Sequence, residues 1–130
     1  MSDSFDSSLT QWLGDVLPDT APQGVVAFSF NITESKNWLV ELIGASSYKA
    51  DDADWACPPE AWSSAPSRLA ISRSIAGDSW ESAQCFIVER VRYFLQNSES
   101  AQASILRSAT AVCVGFVDGD LNQVWPSDEA

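Results

Sequence analysis

The chain contains no histidine, so any chemistry it performs must come from carboxylates, cysteines and aromatic side chains. Without an imidazole, Ser-His-Asp and Cys-His nucleophilic catalysis are excluded, and so are nearly all catalytic zinc sites. The three cysteines, Cys57, Cys85 and Cys113, form no CxxC pair, which argues against a structural zinc site. Each has apolar or small neighbours and reads as a buried free thiol. A nucleophilic cysteine would instead need a partner that stabilises its thiolate. No phosphate-binding GxxxxGK[ST] or GxGxxG loop is present. The expectation is a chain with no catalytic residue, no bound metal and no cofactor, acting by binding rather than as an enzyme.

Two groups of carboxylates remain. Asp51, Asp52 and Asp54 precede Trp55, and Glu60 and Trp62 follow. One reading is a solvated loop with two tryptophans tucked beneath it. The other is a contact surface, in which carboxylates meet Lys or Arg beside aromatics of the kind enriched at interface hot spots. These six residues are the candidate partner-binding set. Paired carboxylates also serve glycosidases, but nothing here supplies the surrounding sugar cleft.

The second group is Asp118, Asp120 and Asn122, which match positions 1, 3 and 5 of a calcium loop, with Glu129 at position 12. The pattern fails where Gln123 replaces the turn-forming glycine, and Pro126 does not suit the loop. A plain Asp118-Gly119 hairpin turn explains these residues with fewer assumptions. Asp118 and Asp120 therefore stand as a secondary candidate, with a small-ligand or calcium-binding module as an alternative.

Charge narrows the partner. The 130 residues carry 18 Asp and Glu against 7 Lys and Arg, a formal charge of −11. Nucleic-acid binding rests on Lys and Arg displacing counterions from phosphates, and anionic membranes repel the same surface. The expected partner is a basic protein, whose approach such a field accelerates; the simpler alternative is that the charge only maintains solubility. Met1 to Ser8 has neither a basic start nor an apolar stretch, unlike a signal peptide. No apolar run approaches the roughly 18 residues of a membrane span. A cytoplasmic location is expected.

The elements that must position these residues follow from spacing. Leu9, Trp12, Leu13, Val16 and Leu17 recur at intervals of three and four, predicting a short helix stopped at Pro18, with residues 1–6 a flexible N-terminus. Val26, Phe28, Phe30 and Ile32 alternate with smaller or polar residues and predict a strand. The polar stretch Glu34 to Asn37 turns it into a second strand from Trp38 to Gly44. Residues 45–67 are weakly patterned, with a possible short strand at Asp54–Cys57. Leu69 and Ile71 resume alternation before Gly77.

Asp78, three residues before Glu81, fits a capping box opening the main helix. Trp80, Gln84, Ile87, Val91 and Phe94 or Leu95 then suggest its buried stripe, ending near Asn97. A weaker helical stretch spans Glu99 to Ser108. Val112, Val114 and Phe116, and then Leu121, Gln123 and Trp125, form a final hairpin. Its exposed edge would let two copies pair as a homodimer. The expected fold is a single α+β domain over residues 1–130: an antiparallel sheet of about five strands, with a long helix and shorter helices packed on one face.

Taken as a set, Trp38 to Gly44, Asp51 to Cys57 and Gly115 to Leu121 resemble a group of small bacterial cytosolic proteins of the immunity type, found beside contact-delivered toxins. The likeness covers residues 25 to 125. It implies a protein that binds and silences a cognate toxin, and it carries over no functional residue.

Overall fold

The computed structural model describes residues 2–18, 20, 22–48, 61–64, 67–116 and 122–125, the side chains of 2–4 excepted. Helix α1 (Ser2–Val16) places Phe5, Leu9, Trp12 and Leu13 along one buried stripe. Residues 2–6, expected as a flexible N-terminus, belong to this helix: Phe5 is buried and the Asp6 carboxylate pairs with Arg90 at 3.2 Å. Leu17 adds one more buried residue before Pro18, which cannot donate the next helical hydrogen bond. The Leu17 carbonyl, past the end of α1, accepts from Gln102 Nε2 at 3.2 Å.

Strands β1 (Ala27–Glu34) and β2 (Trp38–Ala45) form the expected antiparallel hairpin, with Phe30 opposite Leu42 and Ile32 opposite Val40. Two short strands share the outer edge of β2. Strand β3 (Trp62–Ser63) pairs with Ile43 and Gly44, and β4 (Leu69–Ile71) with Trp38 to Val40. Between them the buried Ser64 continues the ladder: its N–H donates to the Leu42 carbonyl, and its hydroxyl accepts from the Leu42 N–H at 3.1 Å. The second run of alternation thus ends at Ile71, and a four-residue helix α2 (Arg73–Ala76) follows.

Helix α3 (Trp80–Asn97) ends where predicted, but its N-terminus differs from the expected capping box. The N-cap is Ser79, whose side chain accepts from the Ser82 N–H. Its buried stripe is Ala83, Ile87, Val91, Phe94 and Leu95. The stripe was expected to open with Trp80 and Gln84; instead Trp80 is 55% exposed. Helix α4 (Ala101–Ser108) is capped by Ser100 and buries Ile105 and Leu106. Its Arg107 donates to the carbonyls of Leu95 and Ser98, both at 2.9 Å, supplying the C-terminal end of α3 with a cation that α3 lacks.

Strand β5 (Ala111–Phe116) pairs with β1 in parallel, and β6 (Asn122–Trp125) pairs with β5 antiparallel, with a register shift at Val112 and Cys113. The sheet therefore has six strands and is mostly antiparallel, ordered β3, β2, β1, β5, β6, with β4 also on β2. The parallel pair corrects the expectation of a purely antiparallel sheet. Strands β4 and β5 both run parallel to β1, and a crossover between parallel strands needs a dozen residues or more; α3 and α4 supply it. The final hairpin pairs as expected. Only β6 lies at the edge of the described sheet, because β5 is enclosed between β1 and β6.

The core joins the stripes of α1, α3 and α4 to Phe28, Phe30, Ile32, Trp38, Val40, Leu42, Val112 and Val114 of the sheet. Each of these large side chains contributes about 1.5–3 kcal/mol on burial. The opposite sheet surface carries smaller residues in matching register: Ser29, Ile43 and Cys113, all buried. Tyr48, beyond β2, donates its phenol proton to Gln123 Oε1 on the edge strand β6 at 3.0 Å.

Candidate functional site

Of the six partner-binding candidates, Asp51, Asp52, Asp54, Trp55 and Glu60 lie outside the described residues, as does the possible strand at Asp54–Cys57. Trp62 is described. It sits in β3 opposite Gly44, partly buried, with its ring edge-on to Phe28 at 6.3 Å. It serves the sheet edge. Asp118 and Asp120 of the secondary candidate also fall outside the described residues. Asn122 is committed to β6, where its Nδ2 donates to the Val114 carbonyl at 3.3 Å. Among the described residues no three Cys, Asp or Glu side chains converge as a metal ion requires.

The cysteines divide. Cys113 is buried in β5 as expected, and burial pushes its thiol up to about 11. Cys85, expected to be buried, is exposed on α3 because the buried stripe runs through Ala83 and Ile87, and a residue two positions from each lies on the opposite side of the helix. Its thiol donates to Glu89 Oε2 at 3.6 Å, and that hydrogen bond, with the carboxylate's charge, raises its pKa. Both thiols are held protonated at neutral pH, the reverse of what a nucleophilic cysteine needs. Cys57 lies outside the described residues.

The feature that sequence reasoning missed is the outer face of α3. Trp80, Glu81, Gln84, Cys85 and Val88, with Asn122 of β6, line a hollow of about 350 Å³. Two columns of side chains run along it at intervals of four residues: Trp80, Gln84, Val88 and, beside them, Glu81, Cys85, Glu89. Trp80 does not hang free. Its ring stands edge-on to Phe116 at 6.1 Å, and Phe116 stands edge-on to the fully buried Trp38 at 5.7 Å. The signal in the sequence was Gln84, a polar residue inside a stripe read as buried, where a shift by one residue admits Ala83 instead.

A second hollow, of about 290 Å³, lies between α1 and α3 and is lined by Asp6, Thr10, Tyr93, Phe94, Asn97 and Ser98. The Arg90 guanidinium lies 4.7 Å from the centre of the Tyr93 ring there and pairs with Asp6. Its charge is thus already matched inside the chain. Arg73 is likewise engaged, donating to Glu34 and three backbone carbonyls, and Arg68 pairs with Glu41 at 3.5 Å.

No protein-family profile, curated protein or solved structure matches the chain. No helix among the described residues is long and apolar enough to cross a membrane. The class that fold and site define is a small α+β domain with an acidic surface and an exposed, braced tryptophan.

Proposed function

We propose that the chain is an acidic cytoplasmic binding protein that recognises a basic protein, acting as an immunity protein that binds and inhibits a cognate bacterial toxin. The observation carrying this reading is how the two signs of charge are used. Arg68, Arg73 and Arg90 pair with Glu41, Glu34 and Asp6 of the same chain, and Arg107 donates to backbone carbonyls. Among the described residues Asp15, Asp78, Glu81 and Glu99 are exposed and in no ion pair with Lys or Arg, open to solvent or to a partner. In the sequence, Asp51, Asp52, Asp54 and Glu60 fall within ten residues that hold no Lys or Arg.

A surface so charged steers a cationic partner and offers carboxylates where a nuclease would bind phosphates. Inhibition of this kind needs complementary charge and a few buried anchors, with no chemistry of its own. The sequence resemblance to immunity-type proteins points the same way.

The test is co-expression with the product of each adjacent gene. A neighbour that is toxic alone, tolerated with this chain, and recovered with it in a complex that loosens as salt rises supports the proposal. Toxicity unrelieved for every neighbour would sink it. Replacing Asp51, Asp52, Asp54 and Trp55 together with Ala should weaken that complex and leave the melting temperature unchanged. Unaltered affinity would remove the 51–60 segment from the interface.

A further inference from the structure

We propose that the hollow on the outer face of α3 is the anchor site for an arginine or lysine side chain of a protein partner, an assignment that rests on the basic-partner reading above. Trp80 is 55% exposed, the most exposed of the large hydrophobic side chains among the described residues. Its edge-on contact with Phe116 holds it in place, so little rotamer freedom remains to be lost on binding. Buried aromatic anchors of this type dominate interface energetics.

The two columns of α3 differ in chemistry, and the difference specifies the occupant. Trp80 and Val88 line the hollow with apolar surface and Glu81 adds a carboxylate, while Glu89, one turn beyond Cys85, accepts from the Cys85 thiol outside the lining. A purely apolar anchor would leave the Glu81 carboxylate desolvated and unmatched. A purely ionic ligand would not use the indole. An arginine or lysine side chain satisfies both, laying its methylene stem against Trp80 and Val88 while its cation meets a carboxylate and the aromatic ring. Arg92 follows one turn beyond Val88, which favours the Glu81 end for the incoming charge. A hollow of about 350 Å³ accommodates one such side chain.

The experiment is a titration of the isotope-labelled full chain with a hexa-arginine peptide at physiological salt, followed by nuclear magnetic resonance, with a hexaglutamine peptide as the neutral control. The expected result is saturable movement of the Trp80 indole N–H and of the backbone amides of residues 80–89, absent with the control. Trp80→Ala should weaken the apparent Kd about tenfold, and Glu81→Gln about threefold, each with an unchanged fold. Shifts confined to other residues, with affinity indifferent to Trp80→Ala, would overturn the anchor site and leave the basic-partner reading standing. No saturable binding of the cationic peptide would count against both. Movement of the same signals with protein concentration alone would give the hollow to a second copy of this chain and overturn the proposal.

Discussion

The Arg73 guanidinium lies over the Trp38 indole, 4.4 Å from the ring centre, and the two residues lock three elements together. Trp38 Nε1 donates to the Gly77 carbonyl at 2.8 Å, while Arg73 donates to Glu34, to the Ser35 and Lys36 carbonyls of the β1–β2 turn, and to the Asp78 carbonyl. The hairpin turn is thereby fastened to the segment that opens α3. Arg73→Ala should cost about 2 kcal/mol in chemical denaturation, since it removes a charge-assisted donor from several carbonyls at once. Arg73→Lys should recover little of this, because an ammonium lacks the planar fork that reaches both sides. Full recovery by Lys would reduce the contact to simple charge pairing.

The start of α3 separates two candidate caps. Ser79→Ala should lower stability by about 1 kcal/mol, as it removes the acceptor for the Ser82 N–H. Asp78→Ala should cost only about 0.3 kcal/mol, the share a nearby carboxylate contributes through the helix dipole. Equal losses in thermal denaturation would restore Asp78 as a true cap.

Gly77 joins α2 to α3 at φ 95°, a backbone state that L side chains avoid, and a Cβ placed there would collide with Ser82 Oγ. Gly77→Ala should destabilise the fold by more than about 1 kcal/mol, read as an earlier denaturant midpoint with an unchanged slope.

Thiol reactivity should follow burial and the Glu89 contact. In a Cys57→Ser background at pH 8, a maleimide should modify Cys85 and leave the buried Cys113 untouched until the chain unfolds. The thiolate is the reacting form, and Glu89 holds it scarce by raising the Cys85 pKa. Glu89→Gln should therefore speed the labelling of Cys85. A slower rate would mean that the carboxylate assists the thiol.

Alkaline pH should expose the linkage at Cys113. Its folded value of about 11 exceeds the ordinary 9.0, so the unfolded chain releases this proton first. The stabilisation is complete below pH 9 and is lost as pH rises towards 11. Cys113→Ala should flatten the decline of the melting temperature across that window relative to the parent chain.

Much of this fold is written in local spacing. Alternation of Phe28, Phe30 and Ile32 against Val40 and Leu42 specifies the hairpin, because a strand buried on one face repeats every two residues. Leu9, Trp12 and Leu13 specify α1 through the helical period, and Pro18 ends it. The lack of histidine and the excess of carboxylates decide which chemistries are closed and which partners are repelled, since both depend on composition alone.

The remainder needed tertiary structure. Direction of pairing is invisible to a period-two pattern, so the parallel β1–β5 contact emerged only once α3 and α4 were laid across the sheet as its crossover. The rotation of α3 is equally non-local. Trp80 and Ala83 both lie on tracks of helical spacing, and which one turns inward is decided by the core formed by α1 and the sheet. That choice leaves Trp80 at the surface against Phe116, beside a column of carboxylates. A tryptophan is apolar enough to be expected inside, and only its neighbours in space can hold it out.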